Sequence, residues 1–344
     1  MVLVTGATGF LGHSLCPYLV RQGYRVRALV RPTSDAAFLT RIGVELWEGD
    51  VRDPSSVERA TEGCRYVVHA AGRFRFWGAP REFETTNVVG TANTLHAALR
   101  ARVERIVHIS TLVVVGAPES GQVLDEEVAC RPRDPYQRSK LRAEQLARAA
   151  HRERRLPVVV LRPGAFYGPW SRYAFNRLFF EDPLKGLPLG IHGGRHITFP
   201  VFVPDVARVI EAAFTRGRPG EIYNVVGQTL SHAQVHAAIS RLAGIRPRRI
   251  NPPGVAMIGL AQLWTWASRY TGHEPYYSIN MVPYVFGDWR ATSAKAVREL
   301  GFRATPFEEG VHQTLSWYRA QKIRPVGWPG RLVAWLWRAR EISG

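Results

Sequence analysis

Tyr136-Gln137-Arg138-Ser139-Lys140 holds the pair of side chains with the most chemistry to offer. Four positions apart in a helix, a tyrosine and a lysine stand one turn apart on the same face, where the ammonium lowers the pKa of the phenol. A phenol of pKa near 10 needs a fall of roughly 2 to 3 units, about 3 to 4 kcal/mol, to exchange protons readily near neutral pH. One fixed cation in a dry cleft supplies energy of that order. Upstream, the run Arg105-Ile106-Val107-His108-Ile109-Ser110 reads as a strand ending at Thr111, whose hydroxyl lies 25 positions before Tyr136. Ser110 competes for the same hydroxyl role, but as a strand residue it is expected to face the sheet.

The elements that must position these groups begin at the N-terminus. Val2-Leu3-Val4-Thr5 is a short β-branched run, and Gly6, Gly9 and Gly12 follow at intervals of three. Such a turn from strand to helix binds phosphate: Gly6 allows the tight turn, Gly9 lets the backbone approach a pyrophosphate, and Gly12 lets the helix pack on the sheet. Strand-like runs recur at 25–30, 44–48, 65–70, 104–110 and 157–162, with helical patterns between them, which predicts a doubly wound α/β fold around a parallel sheet. The valine-rich segment 201–214 and Ile222 to Val226 are expected to return to that sheet. Ser231 to Ala243, Val255 to Tyr270 and Thr305 to Gln321 read as helices. We therefore expect a dinucleotide-binding Rossmann-type domain from 1–164 with 201–229. A smaller, mostly helical substrate lobe is expected from 165–200 with 230–321, and a basic amphipathic tail over 322–344.

The 344 residues carry a formal net charge of +18, nearly all of it arginine. The basic residues are scattered and no RNA- or DNA-binding motif is present, so nucleic acid is not an expected partner; an anionic membrane surface fits the charge better. No basic leader precedes the first strand, so a cytoplasmic protein is expected. Val255 to Trp266 is too short and interrupted to span a bilayer. Trp328 to Arg340, with Leu332, Val333, Trp335, Leu336 and Trp337 on one face, has the make-up of an interfacial helix, expected either to pack on its own domain or a partner subunit or to rest peripherally on the inner face of a membrane. Cys16, Cys64 and Cys130 have no metal-ligand spacing. His232 and His236 stand four apart without a third ligand, so no metal is expected.

Taken in order, Thr5 to Gly12, Gly49-Asp50-Val51-Arg52-Asp53, His69-Ala70-Ala71-Gly72, Asn87-Val88-Val89-Gly90-Thr91, Pro135-Tyr136 to Lys140, and Leu161-Arg162-Pro163-Gly164 with Tyr167-Gly168-Pro169 resemble the motifs of the extended short-chain dehydrogenases/reductases, the NAD-dependent epimerase/dehydratase superfamily. The pattern is nearest to dihydroflavonol-reductase, 3β-hydroxysteroid-dehydrogenase-like and hopanoid-associated epimerase-like members. The resemblance implies Tyr136 as acid/base, Lys140 and Thr111 beside it, and Asn87 in the same catalytic set. It implies cofactor contacts from Gly6, Thr8, Gly9, Phe10, Leu11, Gly12, Arg31, Asp50, Val51, His69, Ala70, Ala71, Gly72, Pro163 and Gly164, besides Tyr136 and Lys140, and it makes a homodimer the expected assembly.

Departures from the family pattern narrow the reading. NAD-selective relatives end the second strand with an acidic residue; here Val30 leads to Arg31, which favours NADP(H) over NAD(H). Dehydratases of the superfamily carry Asp-Glu after the catalytic hydroxyl, where this chain has Leu112-Val113. Sugar-nucleotide epimerases have Asn near Gly164-Ala165 and Arg where this chain has Thr198. Phe74, Phe76, Trp77, Phe166 and Tyr173 are expected to line an apolar substrate cleft. The expected activity is ketone–alcohol interconversion on a lipophilic substrate of steroid, isoprenoid or long-chain β-oxo type. The alternatives are a sugar or sugar-nucleotide epimerase with tightly bound NAD(P), and a noncatalytic dinucleotide-binding scaffold.

Overall fold

A computed structural model describes residues 1–187, 190, 192–245 and 250–323. The 324–344 part of the tail, with its apolar run, lies outside the described residues. Seven strands form one sheet: β1 (Val2–Thr5), β2 (Val26–Val30), β3 (Glu45–Glu48), β4 (Tyr66–His69), β5 (Arg105–Ile109), β6 (Val158–Pro163) and β7 (Ile222–Val225). Their order is β7-β6-β5-β4-β1-β2-β3, all parallel. Order reverses between β1 and β4, so the loops leaving these strands diverge and leave a crevice at their carboxyl ends.

Alternation along the strands fills both faces. Val2 and Val4 of β1 pack with Leu11, Leu15 and Leu19 of α1 (Phe10–Arg21) and with Val206 and Ile210 of α5 (Val203–Thr215). Leu3 points the other way, into a layer with Val57 of α2 (Pro54–Thr61), Leu95 of α3 (Gly90–Arg100) and Ala147 of α4 (Pro135–Arg154). Each buried Val or Leu contributes about 1.5 to 3 kcal/mol relative to exposure.

The segment 201–214 departs from expectation. Pro200–Phe202 pairs with Ala165–Tyr167 in a separate two-stranded sheet, and the rest is helix α5 rather than strand. The buried apolar residues of α5 fall at 203, 206, 207, 209, 210, 212, 213 and 214, a helical pattern that a valine count obscures. Ile222–Val225 does return to the sheet.

Three further helices are α6 (His232–Ala243), α7 (Gly254–Thr271) and α8 (Phe307–Ala320). Ser231 caps α6, accepting a bond from the Gln234 N–H while the Gln234 side chain reaches back to Ser231. An aromatic core of Tyr167, Phe175, Phe180, Phe307 and Tyr318 joins α6 and α8.

Candidate active site

The strand register brings the functional loops together. Thr5 stands opposite His69, and His69 opposite His108, so the chain leaves β1, β4 and β5 at one level. Gly6 (φ +74°) turns so close to the β4 exit that a Cβ on it would lie 2.7 Å from the Ala71 nitrogen. A Cβ on Gly12 would lie 1.9 Å from the Ala7 carbonyl oxygen, so α1 packs on the loop only without a side chain there. No side chain caps α1 and its first turn holds no acid, which leaves its N–H groups for an anion.

A cleft of about 820 Å³ runs across this edge. Gly6, Thr8, Gly9, Phe10 and Leu11 line its centre, with Ala70, Ala71 and Gly72 from β4 and Pro163 and Gly164 from β6. Gly12 and His69 do not line it. His69 is buried, its ring bonded to Thr5 Oγ1 and Thr91 Oγ1 at 2.9 Å each, and burial pushes its pKa down to about 3. Its position is corrected from cofactor contact to a brace beneath the glycine loop. At one end of the cleft stand Arg31, Ser34, Asp50, Val51 and Arg52. Arg52 chelates Asp50 through bonds of 2.9 and 2.7 Å, which with the charge of nearby Arg31 lowers the carboxyl pKa; two guanidinium groups against one carboxylate leave this end of the cleft positive.

At the other end are Thr111, Tyr136 and Lys140. Asp134 caps α4 by accepting from the Gln137 N–H (2.8 Å), which sets Tyr136 in the first turn and Lys140 one turn on. The Lys140 ammonium donates to the Ile109 carbonyl at 2.6 Å, and burial pushes its pKa down to about 8. The phenol departs from expectation. Desolvation raises its pKa above the usual tyrosine value, and only the hydrogen bond with Thr111 opposes this. Lys140 donates one of its three N–H groups to the β5 carbonyl and does not oppose the rise, so Tyr136 is held protonated.

Three groups that sequence reasoning placed or passed over are settled by their partners. Ser110 is spoken for: its hydroxyl donates to Glu144 (2.7 Å), which Arg162 grips at 3.0 and 2.6 Å in a buried pair. The signal for this network was Glu144 itself, one further turn along the Tyr136–Lys140 face. Asn87 does not line the cleft. It accepts from the Arg73 N–H (2.7 Å) and donates to Arg73 O (3.1 Å) and Ser139 Oγ (2.8 Å), so it positions the β4 exit against α4 rather than touching reacting atoms.

Aromatic rings close the catalytic end. Phe74 lies 4.8 Å from Tyr136 and 5.3 Å from Phe76, which in turn meets Tyr173 at 5.8 Å and Tyr284 at 5.2 Å. Phe166 also lines the cleft, but Trp77 does not. The phenol of Tyr173 accepts from the Phe76 N–H (3.0 Å) and donates to Glu274 (2.5 Å). Tyr284, Met281 and Val285 come from a segment more than 140 positions past Tyr136, which no local pattern ties to the site; Tyr284 is anchored to Asp134 at 2.6 Å.

The family model for the NAD dependent epimerase/dehydratase family matches residues 2–226. The chain belongs to this family. It is an enzyme of the extended short-chain dehydrogenase/reductase type, which uses NAD in oxidoreductase, epimerase and dehydratase chemistry. Among similar members, "Sterol demethylase protein B" of Methylococcus capsulatus is 32% identical over 92% of this chain and 98% of its own length. A "4-hydroxy-2-methyl-3-oxo-4-farnesyl-3,4-dihydroquinoline-1-oxide ketoreductase" of Stigmatella aurantiaca is 32% identical over 64% of this chain and 66% of its own. The dTDP-glucose 4,6-dehydratase DesIV of Streptomyces venezuelae, solved with NAD bound, superposes with a TM-score of 0.74 at 28% identity, over 93% of this chain and 97% of its own. The family's dinucleotide fits the uncapped N-terminus of α1 and the glycines crowded against β4.

Proposed function

We propose that this family member is an NADP(H)-preferring carbonyl reductase or alcohol dehydrogenase for a lipophilic substrate of steroid, isoprenoid or long-chain β-oxo type. The observation that carries the reading is the aromatic enclosure of the proton donor: Phe74 packs on Tyr136, with Phe76, Tyr173 and Tyr284 behind it. Arg73, Arg75 and Arg172 also line the cleft, so the reading rests on the rings packed directly about Tyr136. Leu112 and Val113 are buried apolar residues where a dehydratase has an acid pair, so elimination chemistry lacks its acid and base. The names of the sterol and farnesyl-quinoline relatives agree with an apolar substrate.

In this reading the dinucleotide supplies hydride. Gly6, Thr8, Gly9, Phe10 and Leu11 hold its pyrophosphate, Ala70, Ala71, Gly72, Pro163 and Gly164 flank the nicotinamide end, and Arg31 with Ser34 receives a 2′-phosphate. Lys140 holds the nicotinamide ribose. Tyr136 gives its proton to the substrate oxygen and Thr111 holds that oxygen in line. The protein works as a cytoplasmic homodimer, with the tail resting peripherally on the membrane. Cofactor exchange tests the choice against an epimerase: the purified protein should bind and release NADPH reversibly and turn over apolar ketones, whereas an epimerase would retain its dinucleotide and saturate with UDP-sugars.

A further inference from the structure

Helix α7 presents an apolar stripe to solvent. Val255 is 80% exposed, Leu263 57%, Trp266 55% and Tyr270 76%, at intervals that place them on one side of the helix. Only Ala261 and Ser268 of its 18 residues are buried, and Arg269 is its one charged residue. A helix covering a water-soluble lobe ordinarily carries its charges on this side. Gly259 lies on the same stripe, and a Cβ there would meet nothing within 4 Å.

We infer that α7 is a docking face for an anionic lipid bilayer, lying in the plane of the membrane interface. From Arg246 to Gly272 the sequence holds four arginines and no carboxylate, within a chain of net charge +18. An anionic surface attracts such a segment, while a second copy related by twofold symmetry would bring like charges together. Trp266 and Tyr270, with Arg269 between them, are the residue types that settle at the headgroup level. No helix among the described residues is long and apolar enough to cross a membrane, so α7 lies on it.

The inner side of the same helix gives this placement a purpose. Met257 and Ala261 line an apolar side pocket of about 70 Å³, and Leu178, Phe179 and Met281 line both that pocket and the catalytic cleft. A docked α7 sets this wall of the cleft beside the lipid phase, from which an apolar substrate partitions. That purpose rests on the lipophilic-substrate reading; the docking does not.

Co-sedimentation of the full chain with phosphatidylcholine vesicles, with and without phosphatidylglycerol, tests the docking without substrate or cofactor. Wild type should pellet with the anionic vesicles, and Leu263→Glu/Trp266→Glu should bind about tenfold or more weakly at an unchanged melting temperature. If that variant fails to fold, Val255→Glu/Tyr270→Glu, at the two ends of the stripe, reads the same loss. A tail variant, Leu332→Glu/Trp335→Glu, should keep the share of binding that α7 provides. Undiminished partitioning of the α7 variants, loss in the tail variant alone, or a dimer that becomes monomer with lipid binding intact would each overturn the proposal.

Discussion

The ring of Phe74 lies 4.8 Å from that of Tyr136, inclined at 50°, so an exposed aromatic walls the cleft beside the phenol, where the proposed reaction puts the substrate. Phe74→Ala removes that wall and leaves Tyr136, Thr111 and Lys140 in place. For an apolar ketone kcat/KM should fall roughly 10- to 100-fold, mainly through KM, as expected for the loss of about 1.5 to 3 kcal/mol of apolar contact. A small water-soluble ketone should be affected far less. Steady-state kinetics on the two substrates checks the difference.

Lys140 gives a pH signature in the protein without cofactor. Burial holds its folded pKa at about 8 against 10.5 in the unfolded chain, so between these values the unfolded state binds more protons and stability rises with pH. Wild type should therefore gain stability relative to Lys140→Met from pH 8 to pH 10.5, by roughly 2 to 3 kcal/mol at most. Urea denaturation at several pH values measures it. A difference that stays flat over this range would show that Lys140 is not desolvated.

Arg31→Asp should turn cofactor preference from NADPH toward NADH. The substitution puts a carboxylate where the Arg31 guanidinium stands beside the Arg52–Asp50 pair. Calorimetric titration of both cofactors into both proteins reads it, and a wild type that binds NADH more tightly would remove the argument.

Glu144 and Arg162 form a buried pair with Ser110 attached, so Glu144→Leu leaves a guanidinium buried without its partner. A loss of about 3 to 5 kcal/mol is expected, and Glu144→Leu/Arg162→Met should recover most of it. Thermal and chemical denaturation of the single and double variants check the pair.

The sheet, its crevice, the glycine turn and the Tyr136–Lys140 spacing were legible because each depends on local pattern: β-branched runs, glycine spacing and one helical turn. What escaped depends on long-range packing. Segment 201–214 has the composition of a strand and the stripe of a helix, and its packing on α1 and β1 decides for helix. His69 sits where a cofactor-loop residue should, but two threonine hydroxyls from β1 and α3 hold its ring beneath the loop. The phenol pKa could not be read from spacing, since helical register places Lys140 near Tyr136 but does not show that its ammonium donates to the Ile109 carbonyl. Tyr284 reaches the cleft through an anchor to Asp134 that nothing local announces.

Deuterium transfer tests the central claim most directly. Wild type is supplied with NADPH deuterated at the transferable position of the nicotinamide and with a panel of apolar ketones and UDP-hexoses, and products are read by mass spectrometry. The account predicts label on the new carbinol carbon of a lipophilic ketone, with Tyr136→Phe slowed roughly 100-fold or more at nearly unchanged NADPH affinity. Unlabelled lipid products together with epimerised UDP-hexose, or labelled product formed by Tyr136→Phe within a few-fold of the wild-type rate, would contradict it.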